Sequence, residues 1–420
     1  MRRLASLFVP LSLLLACDPG ASGTKDAGTD TGTGDSVADA DADTDADSDT
    51  DTGKGEDTSK DTDTGGDTDT GPDDMSTDYT GATRLVIVVA DDNAKPEDSA
   101  GVYLLEPGTK NLTAVGSLSV RADAHVGCAG DSVWAMQGFN DAGKSDEMIR
   151  INPETGAVIS TWSLGSQRDP RAIEKVGDNW WIADWGKSRL QTFTSAGTEG
   201  ALIDLAAYAD SDGRPEPVAF AEEGDHVYVV LANFTTVGQT YNTGHVVKIE
   251  SSTGTVLADY PTLGMNPDGT VWRWGTNLYI VHQSTVTPLG IQMDGGVERV
   301  DISGTSTSGW VLDETGVTAI TDIWLAHDLQ DFWIATPVLE PQSKVEHRML
   351  DGSALQNWTA PVGLVDMQFH ETHFFGAEDH ITQDWILERD GVTGSVISDL
   401  DLPGRVQRMT LCEAYDADSE

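Results

Sequence analysis

Ala172-Ile-Glu-Lys-Val176, a turn at Gly177-Asp178, Trp180-Trp-Ile-Ala-Asp184, then Arg189-Leu-Gln-Thr-Phe193, a turn at Gly197 and Ala201-Leu-Ile-Asp-Leu205 make one unit running from Arg171 to Leu205. Ile, Val, Trp and Phe suit a pleated, half-buried surface, and Gly and Asp supply the tight bends between runs, so the unit reads as four short strands joined by turns. Working outward, the second run recurs as Val133-Trp-Ala-Met136, Val227-Tyr-Val-Val-Leu231, Leu278-Tyr-Ile-Val281, Phe332-Trp-Ile-Ala335 and His373-Phe-Phe-Gly376. The bend after the third run recurs as Asn152-Pro-Glu-Thr-Gly156, Glu250-Ser-Ser-Thr-Gly254 and Asp390-Gly-Val-Thr-Gly394.

Repetition at roughly 40 to 50 residues is the period of a propeller blade, a four-stranded sheet that buries its faces only against its neighbours. Six complete units begin near Ala122, Arg171, Glu216, Met265, Thr318 and Val362. Two fragments are left over. Leu85-Val-Ile-Val-Val89, Val102-Tyr-Leu-Leu105 and Leu112-Thr-Ala-Val115 lack a first strand, and Arg405-Val-Gln-Arg-Met-Thr-Leu411 is a first strand with nothing after it. Together they form one further blade, and pairing the two ends removes the open sheet edges that invite aggregation. The expected fold is therefore all-β, a seven-bladed β-propeller over residues 83–415, with six or eight blades as the margin, followed by a disordered tail at 416–420. The run Trp180-Trp181-Ile182-Ala183-Asp184 followed by Ser188-Arg189-Leu190-Gln191-Thr192-Phe193 resembles the NHL and YVTN classes of propeller repeat.

Met1-Arg2-Arg3 and the apolar stretch Leu4 to Ala16 form an export signal too short to span a bilayer. Leu14-Leu15-Ala16-Cys17 resembles the lipobox of bacterial lipoproteins. The resemblance implies cleavage before Cys17 and lipidation of that residue, hence membrane contact through the anchor alone and residence in the cell envelope. Asp18 resembles an inner-membrane retention signal of some lineages, and inner and outer membrane both stay open. Residues 17–82 are rich in Asp, Thr and Gly, as in Asp41-Ala-Asp-Thr-Asp-Ala-Asp-Ser-Asp49. Such a segment has almost nothing to bury and is expected to be a disordered tether reaching roughly 45 Å or more.

The chain carries 70 acidic and 25 basic residues, a net charge of -45. Residues 81–420 account for -30 of this, so the propeller is acidic in its own right. Nucleic acid is excluded as a partner, because phosphates would be repelled. A protein, glycan or cation fits, and a monomer is expected. Loops joining second to third strands are long and polar at Asp91 to Gly101, Asn140 to Asp146, Phe234 to Gly244 and Gln283 to Gly296. They share one face with the connectors between blades, which marks that face as the working one. The connector Asp210-Ser-Asp-Gly-Arg-Pro-Glu216 offers Asp210, Asp212 and Glu216 as oxygen ligands for Ca²⁺. A solvated turn is the alternative reading, and no other cofactor is indicated.

Cys128 and Cys412 fall at matching levels of neighbouring innermost strands. In an oxidising compartment they are candidates for a disulfide worth about 4 to 5 kcal/mol, with two separate thiols as the alternative. His370-Glu371-Thr372-His373 lacks the His-Glu-x-x-His order of zinc proteases and falls on a turn, and no nucleophile elbow, phosphate loop or dinucleotide fingerprint occurs. The scattered Trp residues are expected mostly as core between blades. The functional expectation is a non-enzymatic binding module. Some propellers that the chain resembles are lactonases or lyases. For that alternative, two or more of His125, His282, His327 and His370 would have to meet a carboxylate at one mouth of the central channel.

Overall fold

The computed structural model describes Tyr79 to Cys412 apart from residues 92–93, 95–97, 139–145, 236–239, 283–285, 288–289, 292–294, 305–307, 314–321, 326–330, 338–342, 361–362, 371 and 380–384. The export signal, Cys17, the tether and the tail at 416–420 lie outside the described residues.

Seven four-stranded antiparallel sheets make the ring. Their innermost strands are His125–Ala129, Pro170–Val176, Pro217–Glu223, Pro267–Trp274, Asp322–Leu325, Gly363–His370 and, for the closing blade, Arg405–Cys412. In the first six blades the other three strands follow outward in chain order. In the closing blade Arg84–Ala90 pairs antiparallel with Arg405–Cys412, Val88 opposite Arg408, with a bulge between Val88 and Val89. Ser99–Glu106 and Asn111–Arg121 complete that sheet. Strand starts fall within four residues of those read from the repeats.

Burial follows from position in the sheet. The second strand is packed on both faces, so Ser132–Gln137 is buried at every residue and Arg84–Ala90 at all but the first. The fourth strand has solvent on one side, and Val158–Gly165 accordingly buries only Trp162 and Leu164. Between the first and second complete blades an aromatic cluster fills the seam. Trp134 is 0% exposed, with Trp162 and Trp180 centred 4.7 and 4.9 Å away and Phe193 stacked on Trp162 at 5.6 Å. Gly130, in the turn between the first two strands of its blade, has φ +56°, and a Cβ there would lie 2.7 Å from the Trp180 ring. Only glycine meets both demands cheaply.

Cys128 and Cys412 are bonded, their Cα atoms 5.5 Å apart. Thr410 Oγ1 donates to the Val126 carbonyl close by, at 3.2 Å, so the first and last innermost strands are joined both covalently and by a hydrogen bond. Two of the long loops carry ribbons of their own, Phe234–Thr235 with Thr240–Tyr241 and Val286–Thr287 with Gly290–Ile291.

Candidate functional site

Strand order fixes the faces. Each innermost strand is entered from a blade connector, so its first residues lie at the face that carries the connectors and the second-to-third-strand loops. His125 opens its strand and Arg171 is second in its own. Arg408 lies opposite Val88, two residues from the end of a strand that leads into the loop at Asp91. All three therefore sit toward the loop face of the channel.

The structure brings them together. Arg171 Nη1 is 2.5 Å from His125 Nε2, and Arg408 Nη1 is 2.7 Å from His125 Nδ1. Burial first, and then the Arg408 and Arg171 guanidiniums, hold the His125 pKa well below the usual imidazole range, so the ring is neutral. Asp169 takes two bonds from Arg171, from Nε at 3.0 Å and Nη2 at 2.5 Å, and the Arg171 guanidinium lies 4.9 Å from the centre of the Trp185 ring. Asp169 itself is fixed by backbone geometry. Its amide and that of Arg168 donate to Asp146 Oδ2 at 3.0 and 2.5 Å, while its carbonyl accepts from the Trp185 amide at 3.2 Å. The Arg168 guanidinium pairs with Asp184 beneath. Burial raises the Asp169 pKa, and Arg171 opposes that rise.

The other histidines go elsewhere. His282 is 0% exposed at the end of a second strand, its Nε2 3.1 Å from Glu298 Oε2 and its Nδ1 3.2 Å from the Met265 carbonyl. Glu298 also accepts from the Leu263 and Gly264 amides, at 2.8 and 3.1 Å, so this pair ties two blades together away from the channel. His370 ends an innermost strand at the opposite face, in register with His373, which bonds Glu388 at 2.6 Å. Glu371 and His327 are outside the described residues. The described histidines thus do not meet at one channel mouth.

Asp210, Asp212 and Glu216, the expected Ca²⁺ ligands, each accept a backbone hydrogen bond. Asp210 Oδ1 accepts from the Asp212 amide at 2.9 Å, Asp212 Oδ1 from the Arg214 amide at 2.9 Å, and Glu216 Oε2 from the Phe234 amide at 2.9 Å. The carboxylates cap turns and a loop, and among the described residues no three His, Cys, Asp or Glu side chains are gathered to hold a metal. Burial first, with Asp212 and Asp210 adding to it against the Phe234 amide, pushes Glu216 up to about 8. Beside this connector an open pocket of about 510 Å³ is lined by Tyr208, Asp210, Asn233, Asn242, His245 and Asp259, among others. Asn242 Nδ2 donates to Asp210 at 2.7 Å, and His245 Nδ1 lies 2.7 Å from Asp259.

Sequence reasoning named His125 and missed Arg171, Arg408 and Asp169. For Arg171 the available signal was a charged residue at the opening of an innermost strand; Arg408 lies mid-strand and Asp169 in the connector before its strand, where no such signal exists.

No family model matches the chain, and no curated protein does. Solved structures do. A protein from Bacteroides uniformis, provisionally assigned as a 6-phosphogluconolactonase, superposes with a TM-score of 0.50 at 11% identity, over 78% of this chain and 99% of its own. Apo AztD from Citrobacter koseri does so with a TM-score of 0.48 at 11% identity, over 79% of this chain and 98% of its own. At such identities likeness speaks for architecture, and what it establishes with the topology above is that the chain is a seven-bladed β-propeller.

Proposed function

We propose that the chain is an exported, lipid-anchored binding module of the cell envelope, held through Cys17 on an acidic tether, and that it takes its ligand on the loop face without transforming it. The observation that carries this reading is the pairing of a rigid, covalently closed ring with a polar loop face. That face holds both the guanidinium-flanked His125 and the open pocket beside Tyr208 and Asp210. Rigid scaffolds present binding loops at low ordering cost, and long loops on one face of such a scaffold are where recognition concentrates.

Thermal unfolding of the full chain against a panel of glycans, metal ions and envelope proteins tests it. A ligand that binds the folded state alone raises the melting temperature in proportion to its saturation. The effect should vanish when the loop at 234–244 is shortened to a tight turn, and survive changes to the turns of the opposite face. Stabilisation that ignored the loop face, or turnover of a bound ligand, would overturn the reading. Radiolabelled fatty acid should enter the wild-type chain and not Cys17→Ser.

A further inference from the structure

We propose that the open pocket beside Tyr208 takes an organic ammonium group, carried either by a free amine or by a lysine side chain of a partner protein. The proposal rests on the loop face being the working face and names the chemistry recognised there.

The pocket lies between the connector that carries Tyr208 and Asp210 and the strand that carries Thr243 and His245, and its volume of about 510 Å³ has room for a small ligand. Its wall offers acceptors. Asn233, one of the lining residues, is 3% exposed, and its Nδ2 donates to the Thr243 carbonyl at 2.9 Å. That bond fixes which end of the amide is oxygen, because the reverse would set two carbonyl oxygens against each other. Asn233 Oδ1 is left buried with no donor among the described residues. A buried acceptor without a partner costs free energy, which a ligand N–H recovers. Asp259 Oδ1 meets His245 Nδ1 at 2.7 Å, and 33% of the Asp259 side chain stays exposed. A carboxylate accepts at about four sites, so one contact leaves most of its capacity open.

Charge then chooses among donors. Asp210 and Asp259 put two carboxylates in the wall, and among the described residues no lysine or arginine lines it. The loop segment Thr235-Thr-Val-Gly-Gln-Thr-Tyr241 brings no basic residue either. In the same connector burial first, and then Asp212 and Asp210, raise the Glu216 pKa against the Phe234 amide and Arg214, so the potential there is negative. Tyr208 is half-buried, its ring centred 5.9 Å from that of His245. Burial first and then Asp259 raise the pKa of its hydroxyl, which places that carboxylate within electrostatic reach of the ring. Tyrosine faces attract cations. An ammonium group carries three donors, one positive charge and no acceptor, which matches an acidic, acceptor-rich wall beside an aromatic ring. A neutral polyol satisfies the acceptors and leaves the charge unanswered, and an anion answers neither.

The test uses the full chain with histidine carrying ¹³C at Cε1, titrated with n-butylammonium chloride and, separately, with its neutral counterpart n-butanol. The His245 resonance, identified by its loss in His245→Gln, should shift saturably with butylammonium and not with butanol. Affinity should fall about tenfold or more in Asp259→Asn, whose fold is checked by far-UV circular dichroism. Tighter binding by Nα-acetyl-lysine methylamide than by putrescine assigns a lysine of a protein partner, and the reverse a free polyamine. The wild-type titration decides the matter even if the variant fails to fold. Butanol shifting His245 with equal affinity, butylammonium giving no saturation, or folded Asp259→Asn binding as tightly as wild type overturns the proposal. In that event a glycan or metal that still raised the melting temperature through the loop at 234–244 would leave the binding-module reading standing by itself. Chemical turnover of a bound amine would do the reverse, sinking that reading and leaving the amine site in place.

Discussion

Opening the Cys128–Cys412 bridge should destabilise the ring steeply without unmaking it. The two cysteines are 284 residues apart in sequence. In the chain-entropy model a closed loop of that length removes about 19 cal/mol/K from the denatured ensemble, or about 5.6 kcal/mol at 25 °C. A compact denatured chain would lower the figure, so a loss of about 4 to 6 kcal/mol is expected. The native sheet should survive, because Arg405–Cys412 is also held by its ladder to Arg84–Ala90. Urea unfolding followed by fluorescence of the buried tryptophans, with and without reductant, measures the difference. The double variant Cys128→Ser/Cys412→Ser checks it independently of reductant. The m-value should rise as well, since an unbridged chain exposes more surface when unfolded. Unchanged midpoint and slope after thiol labelling has verified reduction would refute the entropic reasoning. Two labelled thiols at Cys128 and Cys412 in the untreated protein would refute the bridge itself.

Trp134→Ala should cost about 3 to 5 kcal/mol, since it empties the centre of the Trp162–Trp180–Phe193 cluster; chemical denaturation reads the loss directly. Gly130→Ala should cost about 1 to 3 kcal/mol by the same measurement, because the left-handed backbone and the Trp180 ring both oppose a Cβ. Glu216 titrates at about 8 in the fold against an ordinary 4.5, so between those values the folded state holds a proton that the unfolded chain has released. Stability should therefore fall as pH rises from about 4.5 to about 8. Glu216→Gln should flatten that slope and leave the chain more stable than wild type at pH 8, which melting curves across the range would reveal.

The blades were legible because their second strands are packed on both faces and so read as continuous apolar runs bounded by Gly and Asp turns. Val133-Trp-Ala-Met136 and Val227-Tyr-Val-Val-Leu231 are recognisable for that reason. Innermost strands are less apolar. Arg405-Val-Gln-Arg-Met-Thr-Leu411 mixes polar with apolar residues and buries only Val406 and Met409 of the seven, and starts read from such runs drift by a few residues. The ribbon at Phe234–Thr235 and Thr240–Tyr241 is too short to show any periodicity. Asp210, Asp212 and Glu216 looked like ligands because their spacing is that of acidic loops. Nothing in spacing distinguishes an oxygen that meets a cation from one that meets the next backbone amide, and here each of the three carboxylates has one oxygen on a backbone amide.

The channel site escaped the sequence for a different reason. His125, Arg171 and Arg408 belong to three blades, and the last joins the other two only because the ring closes on its own terminus. A motif search looks for neighbours in sequence, whereas a propeller gathers one or two side chains from each blade at its axis. The chain's charge sharpens the point. With 25 basic residues against 70 acidic ones, cations are scarce, and several arginines, among them Arg150 with Asp131 and Arg168 with Asp184, are matched to a carboxylate. Arg171 keeps to that pattern, with Asp169 on its Nε and Nη2, and with Arg408 it also flanks the neutral His125 ring. Such a cluster becomes legible only once the ring's closure is known, because Arg408 comes from the last strand whereas His125 and Arg171 come from the first two complete blades.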